Sequence, residues 1–328
     1  AVSRTPRIST STSSTSPPPG AGDPAPCGRR KFLTCTLGGA ALGLLGWRLG
    51  GGESFAGGAA LARHTRRFRA LGTDVALTVF HHDAGVARAA LGAATAAIGQ
   101  VEDVMSLYRA DSQLSRLNRD GELRDPHPDL VALLREALEL SRRSDGAFDV
   151  TVQPLWQLHA GHAARGGAPT AGEIAAARRL VDWRRIELAD GRIRLAGEGT
   201  LITLNGIAQG FAADAACRAL QAHGVRSALV DAGEVGVLGR RARRRDWRVG
   251  IKHPRQPGEL LACARLDGRS LATSGDYETR FSGDFARHHL FDPRSGQSPP
   301  ELASLTVAAP TATSADALST AAFVLGAE

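Results

Sequence analysis

The 328-residue chain has few cysteines, almost no lysine and no long hydrophobic run. Cys27, Cys35, Cys217 and Cys263 make no Cys-x-x-Cys pair and no Cys/His spacing, so neither a zinc site nor a thioredoxin-like motif is encoded. The last two read as buried thiols or, alternatively, as a single disulfide. No Gly-x-Gly-x-x-Gly follows a strand pattern, which removes the dinucleotide fingerprint of doubly wound folds. No repeat of fixed period and no second domain boundary appears. Only Lys31 and Lys252 are lysines among 40 basic residues, an arginine bias that fits a GC-rich genome and names no partner. More than half of the net charge of +7 lies ahead of residue 57. The other basic cluster, Arg240, Arg241, Arg243, Arg244, Arg245 and Arg248, has Trp247 as its single aromatic. It reads as a solvated hairpin loop and not as a nucleic-acid surface.

What is present is ordinary globular composition, 43% hydrophobic and 22% charged. Residues 1–28 are a Ser/Thr/Pro-rich tail without apolar periodicity, expected to be disordered. Residues 29–56 resemble a twin-arginine export signal: Arg29-Arg30-Lys31-Phe32-Leu33 leads into a short Leu/Gly/Ala run, Thr34 to Trp47. The run is too short and too glycine-rich for a membrane span. Cleavage after Ala56, or retention as an N-terminal anchor, both leave the body outside the cytoplasm, in the periplasm or at the outer face of the inner membrane. Membrane association is expected only through this segment.

Residues 57–328 carry the folding pattern. Val75, Leu77 and Val79 alternate on a strand from Thr73 to Phe80, and Leu91, Ile98, Val101 and Met105 return at helical spacing between Val86 and Tyr108. Asp111 to Asn118 reads as a turn, Asp129 to Ser141 as a helix, 160–172 as a loop and Ala171 to Leu180 as a short helix. Arg184 to Ala196 is a hairpin about Asp190-Gly191. Gln209 to His223 is a helix ended by Gly224, and Ser314 to Leu325 a closing helix. Ser227 to Asp231, Trp247 to Ile251, Leu260 to Leu266 and Leu302 to Ala308 are strands. Without a strict strand-helix beat, the class is α+β.

Four segments interrupt this pattern. Gly146 to Leu155 reads as a loop entering a strand, in which Asp149, taken alone, is a cap or turn acid. Thr203 to Asp214 opens a helix with small residues, a place for a phosphate or for ordinary capping. Leu271 to Glu278, followed by a hairpin about Gly283 and His288 to Gly296, crowds hydroxyls, acids and two histidines together. On the last helix Asp316, Ser319 and Thr320 stand at i, i+3 and i+4 and share one face, a hard-oxygen set suited to Mg2+. Asp316 alone would equally serve the helix dipole.

In this order, together with Leu71-Gly72-Thr73, Ser106-Leu107-Tyr108 and Ser112 to Asn118, the segments resemble the periplasmic FAD:protein FMN transferases of the ApbE type. The resemblance implies a single T-fold-like domain of mixed and antiparallel sheets with packed helices. It places FAD against Leu71, Tyr108, Ala147, Phe148, Asp149, Thr203, Gln209 and Phe291. It places Mg2+ on the Gly206 carbonyl, Asp316 and Thr320, with Ser319 nearby, and proton transfer on His289 or on Asp276. The implied reaction moves FMN from FAD to a Thr or Ser of an acceptor protein, a subunit of a membrane redox complex, with release of AMP. FAD hydrolysis to FMN and AMP, and FAD binding without turnover, are the alternatives. Relatives often have Met at 71, Asp at 203 and Lys or Glu at 209, and continue into one more strand past residue 328, so a shortened C-terminus is expected.

Overall fold

The computed structural model describes residues 60–241 and 245–327. The tail, the arginine-led segment, Cys27, Cys35, Arg243, Arg244 and Glu328 lie outside the described residues. Among those described, no helix is long and apolar enough to cross a membrane.

A six-stranded antiparallel sheet forms the centre. Its strands are β1 (Ala62–Ala70), β2 (Thr73–His81), β6 (Ala228–Asp231), β7 (Val235–Leu238), β10 (Ser270–Gly275) and β11 (Ser304–Ala309), in the spatial order β1-β2-β6-β7-β10-β11. Alternation along the strands divides the apolar side chains between two faces. Val75, Leu77, Val79, Ala228 and Val230 enter the main core under helices α1 (Ala84–Met105), α6 (Ala208–Ala222) and α7 (Ala312–Leu325). Leu229, Leu271, Val235 and Val237 face the opposite way, onto the hairpin of β8 (Trp247–Lys252) and β9 (Leu260–Leu266). A small sheet, β3 (Glu122–Arg124), β5 (Arg192–Leu195) and β4 (Ile186–Ala189), stands apart. It packs against α2 (Gln113–Asp120); the remaining helices are α3 (Pro128–Arg143), α4 (Gln153–Ala164) and α5 (Ala171–Arg178), of which α4 and α5 pack on each other.

Several elements differ from the sequence reading, which also did not include β3, β7 and β10. Residues 113–120 form α2 and not a turn, because Ser112 accepts from the Ser115 amide as its cap while Leu114 and Leu117 bury one face. The Gly146 segment enters a helix, not a strand: Asp149 turns the chain by accepting from the Thr151 amide and hydroxyl, and Pro154 then lies in the first turn of α4. That helix runs to Ala164, into the expected loop. β1, which the sequence reading did not include, is an edge strand with mostly exposed side chains and so carries no clear alternation. Cys217 and Cys263 are half-buried, and burial pushes the Cys217 thiol up to about 12. Trp247 is buried against Phe80, its ring N–H donating to Gly239, which withdraws it from any base-stacking role.

Candidate active site

Where the open ends of the central sheet meet the starts of α6 and α4, a cleft of about 1030 Å3 opens. That is at the upper end of small-molecule sites, about 300–1,000 Å3. Every sequence-predicted residue lines it except Asp276 and Ser319.

Local folding explains how each arrives there. Leu71 occupies the left-handed region (φ 54°) in the β1–β2 turn, and its amide donates to Glu102 of α1 at 2.9 Å. Tyr108 follows α1 in a loop held from beneath: Ser112 and Ser115 both donate to the Ser106 carbonyl, at 2.6 and 3.1 Å. The phenol ring is left 78% exposed over the cleft. Asn118 braces the Thr203 segment with two 2.8 Å bonds to Ile202, one donated and one accepted. Thr203 in turn donates its amide to Val150, and its hydroxyl accepts from Asn205.

Ala147, Phe148 and Asp149 are buried in the cleft wall. Asp149 spends its oxygens on Thr151 and on the Trp183 amide, and burial still pushes its carboxyl up to about 6. Its visible work is shaping the loop that carries Phe148. Gln209 lies in the first turn of α6 against Gly233 (φ 97°), where a Cβ would overlap the Gln209 amide. Phe291 stacks near Phe281 and His159, a wall shared with Trp156.

The end of the cleft formed by α6 and α7 is oxygen-rich. Asp316 is 4% exposed and accepts from the Gly210 amide at 2.9 Å. Burial pushes its carboxyl up to about 7, against the pull of that amide and with a further push from Asp214. The Thr320 hydroxyl lies 3.3 Å from the Ser274 hydroxyl, which is 2.8 Å from that of Ser319. Ser319 also donates to the Asp316 carbonyl at 2.9 Å and is fully buried, so it stands behind the cleft and supports Ser274. Gly206, in the turn ahead of α6, packs against Thr320 and Phe148. Among the described residues, no three His, Cys, Asp or Glu side chains form a metal cluster. The set here is one carboxylate with hydroxyls and a backbone carbonyl, which fits a Mg2+ that keeps water and substrate phosphate among its ligands.

Two further residues of this end were missed from sequence. Glu234 lines the cleft and accepts from the Thr273 amide at 3.1 Å. Burial and the neighbouring Asp316 hold it well above the usual carboxylate range. Ser274 lies within the Leu271 to Glu278 segment, and its strand position, facing α7, gives it its partners.

His289 lines the cleft, and both its amide and its Nδ1 lie against the Thr279 carbonyl, at 3.1 and 3.3 Å. A carbonyl only accepts, so Nδ1 carries the proton and Nε2 keeps a lone pair. Burial, then His288, pushes the imidazole down to about 4, so it is neutral at pH 7. Asp276 is different. It is 4% exposed, does not line the cleft, and takes Arg255 bidentately at 2.7 and 2.6 Å. The structure thus brings His289 to the cleft and directs Asp276 elsewhere.

A profile of the ApbE family matches residues 71–328. The chain belongs to the ApbE family. It is 33% identical over 314 residues to the FAD:protein FMN transferase of Treponema pallidum (strain Nichols), covering 86% of each chain. It is 30% identical over 243 residues to that of Escherichia coli (strain K12), covering 69% of this chain and 68% of the other. The crystal structure of the Pseudomonas stutzeri flavinyl transferase ApbE superposes with a TM-score of 0.70 at 33% identity, over 82% of this chain and 86% of the other. The ApbE protein of Thermotoga maritima gives 0.73 at 29% identity, over 80% and 87%. The ApbE fold is therefore the fold described above, and the cleft lies within the family-matched region.

Proposed function

We propose that this member of the ApbE family is a FAD:protein FMN transferase, moving FMN from FAD onto a Thr or Ser hydroxyl of an acceptor protein and releasing AMP. The observation that carries this is the convergence of chain segments from Leu71 to Thr320 on one cleft, with a neutral histidine and an oxygen-rich end. The named relatives are FAD:protein FMN transferases, which supports the same reaction.

The flavin is assigned to Leu71, Tyr108, Ala147, Phe148, Asp149, Thr203, Gln209 and Phe291. An exposed phenol and buried phenylalanines in the cleft lining offer stacking surface. Thr203 and Gln209 are neutral, so they recognise by hydrogen bonding without charge. Mg2+ is assigned to the Gly206 carbonyl, Asp316 and Thr320, with Ser319 holding Ser274 behind them. When bound, it neutralises pyrophosphate charge and fixes the reacting phosphate. Asp316 would supply the negative charge that draws the cation, and the Thr320 hydroxyl and Gly206 carbonyl would complete its protein ligands.

His289 removes the proton. The Nε2 lone pair accepts it from the acceptor hydroxyl, the hydroxyl oxygen bonds to the FMN phosphorus, and the bond from that phosphorus to the bridging oxygen breaks, so AMP leaves with that oxygen. The Thr279 carbonyl fixes the tautomer that makes this possible. The arginine-led segment Arg29 to Trp47 would deliver the enzyme to the periplasm or the outer face of the inner membrane, with a membrane redox subunit as its acceptor.

Incubation with FAD, Mg2+ and a candidate acceptor separates the readings. Covalently fluorescent acceptor supports transfer; free FMN with unmodified acceptor indicates hydrolysis; intact bound FAD indicates a binding protein.

A further inference from the structure

Three segments meet beside the cleft mouth. The first is the β8–β9 connection, pinned on itself by the His253 ring, which accepts from the Arg255 and Gln256 amides at 3.1 and 3.0 Å. The second is the end of β10, where the Asp276 amide donates to Ala303. The third is the hairpin 279–289, closed by Phe281 donating to Arg287 and His289 donating to Thr279.

Arg255 joins all three. Its guanidinium grips Asp276 with two bonds, and its Cζ lies 3.9 Å from the centre of the Phe285 ring at the hairpin tip. Arg280 approaches the same ring at 4.8 Å. The tip is built to present Phe285. Asp284 accepts from Ser282 and Ala286, while Phe285 holds a left-handed φ of 65°, a conformation costly for a bulky side chain. Strain of that kind persists where surrounding contacts over-determine it. The two hairpins so joined are also two walls of the cleft: Val249 to Lys252 on one, Thr279 and His289 on the other.

We propose that Arg255 and Asp276 are positioning residues, a latch that clamps the 279–289 hairpin to the β8–β9 hairpin and so holds His289 at the reacting phosphate. This rests on the transferase reading for its kinetic consequence, though not for its structural one. Asp276 acts through Arg255 and the hairpin and exchanges no proton with substrate. A lysine at 255 keeps the charge but not the planar fork or the ring stacking, so it restores the clamp only in part.

The test compares the full chain with Arg255→Ala, Arg255→Lys, Asp276→Asn and the double variant Arg255→Ala/Asp276→Asn, by hydrogen exchange and by transfer kinetics. Amides of residues 279–289 are expected to exchange about tenfold faster in Arg255→Ala, with β2 amides unchanged and Arg255→Lys intermediate. The kcat for transfer should fall about 10- to 100-fold while KM for FAD stays within about twofold, since misplacement of the base by an ångström is enough for such a loss. The double variant should be no slower than the worse single one. Unchanged exchange in 279–289, or faster exchange with unchanged kcat, overturns the latch. Additive losses in the double variant overturn it as well, by giving Asp276 a role independent of Arg255. A wild-type chain that binds FAD but transfers nothing contradicts the transferase reading, and the exchange result then decides the latch by itself.

Discussion

In the proposed site, Asp316 is the one carboxylate assigned to Mg2+. It is buried, held by the Gly210 amide, and next to a second acid, Glu234. Replacing it by alanine should lower transfer by at least roughly 100-fold and abolish its dependence on Mg2+, because even outer partners of a metal ligand are commonly worth 10- to 100-fold. Unchanged Mg2+ dependence in Asp316→Ala would move the metal elsewhere. Its carboxyl is pushed up to about 7 without a cation, so protons compete with the metal below that pH. The Mg2+ concentration giving half-maximal rate should rise about tenfold per pH unit below 7 and level off above it. His289 behaves oppositely. Its depressed value of about 4 keeps the base form across the neutral range, and it is lost only as pH falls through about 4. At saturating Mg2+, kcat/KM should therefore show no acidic limb near 6.5 that vanishes in His289→Ala, and that variant should be slower by about 10²- to 10⁴-fold.

At the scale of elements, the site depends on how α6 and α7 cross. Asp214 of α6 accepts from the Ala312 and Thr313 amides and the Thr313 hydroxyl, at 2.9, 2.8 and 2.6 Å, capping α7 from a neighbouring helix. Gly210, one turn earlier, lets the helices touch: a Cβ there would overlap the Ala312 carbonyl and the Asp316 Cβ. Asp214→Ala should cost about 1–2 kcal/mol of stability, the worth of a helix cap, read as a lowered midpoint in urea at unchanged slope. Gly210→Ala should cost about 1–3 kcal/mol and weaken Mg2+ binding with it, by driving the two helices apart.

What the sequence discloses follows from whether the cause is local. Asp316, Ser319 and Thr320 sit within one helical turn, so their shared face is written in the spacing, although Ser319 proves to serve Ser274 and not the cleft. β2, α1 and α6 show their periodicity for the same reason. Glu234 gives no local signal, since its meaning comes from an acid 82 positions away and its hydrogen bond from Thr273. Asp276 lies among chemistry-bearing neighbours in sequence, yet Arg255, 21 residues earlier, turns it away from the cleft. β1 is hidden because an edge strand with few buried side chains does not alternate.

Across the whole molecule, the sheet separates two tasks. One face binds α1, α6 and α7 into the main core, and the other receives the β8–β9 hairpin. The cleft draws on both, with Asp316 and Thr320 from the helical side and Val249 to Lys252 from the hairpin side. A cleft assembled this way places an oxygen-rich end, aromatic side chains and a neutral histidine within one enclosure, the set that the proposed transfer from a dinucleotide to a protein hydroxyl calls on. The most direct measurement is the stoichiometry of products with FAD, Mg2+ and an acceptor carrying a reactive Thr or Ser, by intact mass of the acceptor and chromatography of the nucleotides. One AMP released for each FMN mass added to the acceptor is the predicted result. AMP and free FMN in equal amounts, with the acceptor mass unchanged, would contradict it.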